Sequence, residues 1–178
     1  MIGIIGVGSV TMDFAHRAAK SGYKVLISDP LGTRTFKEIA QKMGSNVKLV
    51  SIDEATIAQI IVLFISRQNL EMSIRKLPDM SGKIILHTNN PIFNEQYFLD
   101  NKDSKSSCEI IASLLPRAHI IKLFNILSSR VNLLNEQNQD KNVLFFSGKN
   151  QMINDNVKAF LETLNLSGID ITQSQQNQ

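Results

Sequence analysis

The first thirty residues constrain this chain most. Met1 to Ile5 is a short apolar run that breaks at Gly6-Val7-Gly8. A helical stretch from about Val10 to Ser21 follows and is stopped by Gly22. Lys24 to Ser28 is a second apolar run, ended by Asp29, Pro30 and Gly32. An aliphatic run bounded by glycine reads as a buried strand. A strand that feeds a helix and then another strand returns as a parallel neighbour, because parallel strands need a crossover rather than a tight turn. The opening segment therefore predicts a strand, a glycine turn, a helix and a second parallel strand.

The alternation continues along the chain. Thr33 or Thr35 can cap a helix that runs to about Met43 and stops at Gly44. Val47 to Val50 reads as a strand, and Ser51 to Ala58 as a short helix with Ser51 and Glu54 at capping-box spacing. The run from Gln59 to Ile65, with Ile60, Ile61, Val62, Leu63, Phe64 and Ile65 unbroken, reads as a central strand covered on both faces. Helices are expected at Asn69 to Leu77, Ser106 to Leu115 and Asp155 to Leu164. Strands are expected at Lys83 to His87, Ala118 to Leu123, Val143 to Ser147 and Ile169 to Ile171. Phe93 to Lys105 and Asn135 to Asn142 are polar and read as surface loops, and residues 173–178 as a disordered Gln-rich tail. Residues 1–172 thus form one α/β domain: a Rossmann-type, doubly wound, mostly parallel sheet with helices on both faces.

Bulk properties narrow the function classes. The 178 residues carry 19 basic and 16 acidic side chains, a formal charge of +3, with no dense Lys/Arg block. Nucleic-acid binding is not supported. One cysteine, Cys108, excludes an internal disulfide framework, and no apolar run is long enough to span a bilayer. No secretory signal pattern opens the chain, so a reduced, cytoplasmic setting without a membrane partner is expected. No metal-ligand spacing appears. Cys108 and the scattered Met and Phe residues read as packing.

In an open parallel sheet, ligands lie beyond the carboxyl ends of the strands. Gly6-Val7-Gly8-Ser9-Val10-Thr11 lies at such an end. The first glycine permits the tight turn, the second lets backbone amides approach a pyrophosphate, and the helix start adds free N–H donors and partial positive charge. Thr11 takes the third place, where Gly or Ala normally lets the helix lie close, and is expected to set the helix slightly off the sheet. Asp29, at the tip of the second strand, is placed to accept hydrogen bonds from ribose hydroxyls, which favours NAD; its competing role is that of a turn residue. Arg34 can meet a 2′-phosphate or simply be solvated. The nicotinamide is expected past Ile65-Ser66 and near Asn89, Asn90 and Pro91. His87, at a strand end, is a weak candidate proton donor and reads first as a partly buried strand residue. Ser106 and Ser107 read as helix caps.

The order of these motifs resembles the deazaflavin (coenzyme F420) dependent NADP oxidoreductase family. The matching stretches are MIGIIGVGSV, SGYKVLISD, IIVLFIS, GKIILHTNNPI, SSCEIIASLLPRAHIIKLFN and VLFFSGKN, which together cover about residues 1 to 172. The resemblance implies that Gly6, Gly8, Ser9 and Val10 bind the pyrophosphate. It implies NADP, although its 2′-phosphate loop falls on Asp29, Pro30 and Leu31 here. Its Thr-Asn-Pro turn corresponds to Asn89-Asn90-Pro91, and its Lys-x-Phe-Asn segment to Lys122, Phe124 and Asn125, beside the second redox partner. The expected function is NAD(P)-dependent hydride transfer to a flavin-like, deazaflavin or metal-chelate acceptor, compatible with a homodimer. Two rivals are a non-catalytic dinucleotide-sensing module and a reductase of a small carbonyl compound.

Overall fold

Aliphatic strands without alternation need cover on both faces, and helices supply it here. The computed structural model describes residues 1–29, 40, 42–88, 106–124 and 142–172. Their strands are β1 (Ile2–Ile5), β2 (Val25–Ser28), β3 (Val47–Leu49), β4 (Ile60–Leu63), β5 (Ile84–His87), β6 (His119–Phe124), β7 (Asn142–Gly148) and β8 (Leu166–Asp170). The helices are α1 (Ser9–Lys20), α2 (Ile52–Ala55), α3 (Arg67–Ile74), α4 (Ser107–Leu114) and α5 (Gln151–Thr163). The strands form one sheet in the order β3-β2-β1-β4-β5-β6-β7-β8. Pairings are parallel except β6 with β7, so the last two strands run opposite to the rest. The expected doubly wound, mostly parallel architecture is present.

Two apolar layers flank the sheet. Ile2, Ile4, Ile27 and Val62 meet Phe14, Ala15 and Ala18 of α1, together with Val157, Phe160 and Leu161 of α5. Ile5, Leu26, Ile61, Leu63 and Ile85 meet Ala55 of α2, Leu70 and Ile74 of α3, and Ile111 of α4. The helix starts follow local chemistry. Ser51 and Glu54 form the expected box, with Glu54 N–H donating to Ser51 Oγ at 3.2 Å and Ser51 N–H to the Glu54 carboxylate at 3.0 Å. Ser106 and Glu109 repeat it at the head of α4, at 3.2 and 2.6 Å.

Some boundaries differ from expectation. Helix α5 starts at Gln151 rather than Asp155, because the Asn150 side chain accepts the Ile153 N–H at 3.2 Å and caps it earlier. Strand β8 spans Leu166–Asp170 rather than starting at Ile169, because Gly168 lies under Leu161 and Phe146, where a side chain has little room. Asn142 belongs to β7 rather than to a loop. The Phe residues are not all core: Phe145 is 41% exposed, on the same outer face as Val143 and Ile169. Most of the helix expected before Met43, the insert 93–105, most of the loop 135–142 and the tail 173–178 lie outside the described residues.

Gly3 sets the spacing between β1 and α2. A Cβ at Gly3 would run into the backbone carbonyl of Ala55. Gly3→Ala is therefore expected to destabilise the fold by about 1–3 kcal/mol, the usual cost of overpacking. Urea denaturation reads this directly, and an unchanged midpoint would show that α2 yields freely.

Candidate functional site

The strand order reverses between β1 and β4, which places a ligand crevice over their carboxyl ends. The glycine turn crosses that point. Gly6 has φ +87°, a left-handed conformation that side chains rarely adopt. Its N–H donates to the Ser28 carbonyl at 2.9 Å, tying the turn to the end of β2. A side chain at Gly6 would also run into the Phe64 carbonyl, just past β4.

Thr11 does not behave as expected from its bulk. It is fully buried, and α1 still packs on the sheet through Phe14, Ala15 and Ala18. Its hydroxyl accepts the Gly8 N–H at 2.9 Å and donates to the Gly8 carbonyl at 3.0 Å. Thr11 thus closes the turn, and the Gly8 amide is committed to it. The Met12 N–H donates to the Gly8 carbonyl at 3.0 Å and starts the helix ladder. Ser9 and Val10 then carry amides that helix geometry leaves without an acceptor inside the helix. No acidic side chain stands in the first turn of α1, whereas Arg17 and Lys20 lie in its last. The open amides and the acid-free first turn are compatible with an anion at the N-terminal end.

The other candidate residues are placed as follows. Val7 and Val10 are half-buried against the α1 layer. Asp29 immediately follows β2 and is half-buried. Ile65 is buried, and Ser66 is exposed as the N-cap of α3. These residues line the carboxyl ends of β1, β2 and β4. Arg34, Asn89, Asn90, Pro91 and Asn125 lie outside the described residues.

Phe64 escaped the sequence reading, which counted it as core. Its ring lies on the glycine turn, so that a Cβ at Gly8 would stand 2.5 Å from the ring edge. The one signal available was its place: an aromatic residue closing an otherwise aliphatic strand.

His87 ends β5 and is 1% exposed. Neither ring nitrogen has a hydrogen-bond partner of normal geometry. Burial pushes its pKa down to about 4, with the Leu63 carbonyl opposing and the Lys122 charge assisting. The ring is neutral at ordinary pH. Lys122, its register partner on β6, sits 4.6 Å above the Phe124 ring. Burial, the larger effect, and Glu109 push the half-buried Cys108 thiol up, while Lys122 pulls the other way. Among the described residues no group of three His, Cys, Asp or Glu side chains is placed to hold a metal ion.

The strand order and the glycine turn at the order reversal are those of a Rossmann-type fold. Residues 1–91 match the family described as coenzyme F420-dependent NADP oxidoreductases, and the chain belongs to that family, as its motifs suggested. Among solved structures, the Sinorhizobium meliloti protein SMa0349 superposes with a TM-score of 0.76 at 23% identity, over 97% of this chain and 85% of that one. A protein from Arthrobacter sp. FB24, described as a candidate F420-dependent NADP reductase, gives 0.70 at 20% identity over 96% and 84%. At these identities the likeness speaks for the fold. The rat metalloreductase STEAP3 is 26% identical over 129 residues, 72% of this chain and 25% of that protein. The human metalloreductase STEAP2 is 27% identical over 173 residues, 96% and 33% respectively. The chain therefore spans a quarter to a third of the length of these relatives. Among the described residues no helix is long and apolar enough to cross a membrane.

The buried imidazole has a consequence for stability. Its ordinary pKa of 6.5 applies in the unfolded chain, and about 4 in the folded one. As pH falls through that window the unfolded chain takes up the proton first, so stability falls, by at most about 1.4 kcal/mol per pH unit. Glu54, held low by the Ser51 amide and hydroxyl, and Asp79, held low by the Ser81 hydroxyl and amide, add slopes of the same sign that a His87 variant shares with the wild type. Unfolding free energies of the wild type and His87→Leu between these limits are expected to diverge, the variant being flatter. Parallel curves would assign the slope to another group.

Proposed function

We propose that this chain binds NADP(H) across the Gly6–Val10 turn and passes hydride between the nicotinamide and a flavin-like or deazaflavin acceptor. The observation that carries the reading is the head of α1: a glycine turn fixed by Thr11, free amides at Ser9 and Val10, and no acidic side chain in the first turn. These features fit a pyrophosphate. The family description supports NADP as the cofactor.

Each residue then has a task. Gly6 aims the helix, and Ser9 and Val10 donate to the phosphates. Asp29 faces the adenosine ribose and tempers the preference for a 2′-phosphate, which Arg34 offsets. Ile65 and Ser66 border the nicotinamide half; Asn89, Asn90, Pro91 and Asn125 are assigned to the cofactor and acceptor from their sequence motifs alone. Bound nicotinamide supplies or takes up a hydride, two electrons with one hydrogen nucleus. The protein's part is alignment, since a carrier-to-carrier transfer needs position more than a proton relay. His87 helps by staying neutral and buried. The metalloreductase relatives make a chelated metal ion the second acceptor class to test.

Calorimetric titration with NADPH and NADH is the direct test. We expect NADPH to bind more tightly than about 1 mM. Heat from neither dinucleotide at that level would end the reading. Turnover is then followed by loss of nicotinamide absorbance with flavin, deazaflavin or ferric chelate. Binding without turnover on any of them would favour a sensing module. Asp29→Ser is expected to raise the NADPH-to-NADH affinity ratio about tenfold, equivalent to ~1.4 kcal/mol. An unchanged ratio would make Asp29 a turn residue only.

A further inference from the structure

Phe64 is held in place by backbone and set apart by its side chain. Its N–H donates to the Ile5 carbonyl at 2.9 Å, continuing the β1–β4 ladder by one residue. Its own carbonyl closes against Gly6. Leu63 and Ile65 on either side are buried in the layer of α3 and α4. Strand alternation turns Phe64 to the opposite side, the side of α1, where its ring meets Gly8 at 2.5 to 3.0 Å from a would-be Cβ. The ring is half-buried and belongs to neither apolar layer. A large aromatic side chain is thus spent on the glycine turn and not on the core.

Topology says what passes over it. A dinucleotide whose pyrophosphate rests at the head of α1 sends its adenosine half toward β2 and its other half over the end of β4. Phe64 is the residue at that end. We propose that the Phe64 ring is the apolar floor under the nicotinamide riboside, a cofactor-binding residue that fixes the height and tilt of the ring that exchanges hydride. The proposal rests on the dinucleotide reading above and adds the residue that orients its reactive half. An edge or face contact with a planar ring gives affinity beyond plain area burial.

Two ligands separate this from a merely structural role: NADPH, and 2′,5′-ADP, which has the adenosine half alone. By calorimetry, Phe64→Ala is expected to weaken NADPH about fivefold to tenfold and to leave 2′,5′-ADP within about twofold. Equal losses for both ligands would make the ring a prop for the turn and overturn the proposal. A gain in NADPH affinity would overturn it too, since the ring would then obstruct the cleft. The chain has no tryptophan, so Phe64→Trp adds a unique emitter that keeps an aromatic ring and serves where the alanine variant unfolds. NADP⁺, whose pyridinium quenches an indole on contact, is expected to dim that emission, and 2′,5′-ADP is not. Undimmed emission with NADP⁺ bound would refute the floor. Failure of the wild type to bind either ligand would instead remove the dinucleotide reading itself, a pattern distinct from any of these.

Discussion

Two neighbouring strands grip Gly6. On one side its N–H bonds the last carbonyl of β2; on the other the Phe64 carbonyl fills the place a Cβ would take. The turn has to leave the sheet through that gap with φ +87°. A side chain there would strain the backbone and push β4 away from β1, at the one place where the sheet's order reverses. The direction of α1, the packing of its buried face and the aim of its first amides all follow from this contact. The site is therefore a property of the β1–β4 junction more than of the loop alone.

Electrostatics then decide what the junction can accept. Thr11 satisfies the Gly8 amide, and the next amides are left pointing outward from a helix end without a carboxylate. Farther along the sheet, burial keeps both His87 and Cys108 uncharged at neutral pH beside the cation of Lys122. An anionic ligand at α1 meets no buried carboxylate among these groups.

Much of the fold was legible because its strands are aliphatic runs closed by Gly, Pro or Asn, and a mostly parallel sheet follows from the alternating helices. The reversal of β7 and β8 was not legible. Val143 to Ser147 is as apolar as the parallel strands, and hydrophobic pattern carries no direction. Asn150 hid the start of α5, since a cap in a polar stretch reads as loop until its amide partner is seen. Glycine in the middle of Leu166–Asp170 disguised β8 for a similar reason. At the site, the sequence located the turn and the strand tips but misjudged Thr11, whose hydroxyl mattered more than its size, and Phe64, whose neighbours made it look like core.

Those two misjudgements change how the glycine pattern counts as evidence. A Gly-x-Gly after a strand is ordinarily taken as a mark of close approach by a phosphate. Here Gly6 is required by its φ and by the Phe64 carbonyl, whereas Gly8 has extended backbone and faces only the movable Phe64 ring. Gly6 would be needed in a chain that bound nothing at all. What the protein does not need for its own packing is different: an aromatic ring that belongs to neither apolar layer. A fold optimised only for packing has no use for a ring so placed, and a planar ligand over the end of β4 would give it one.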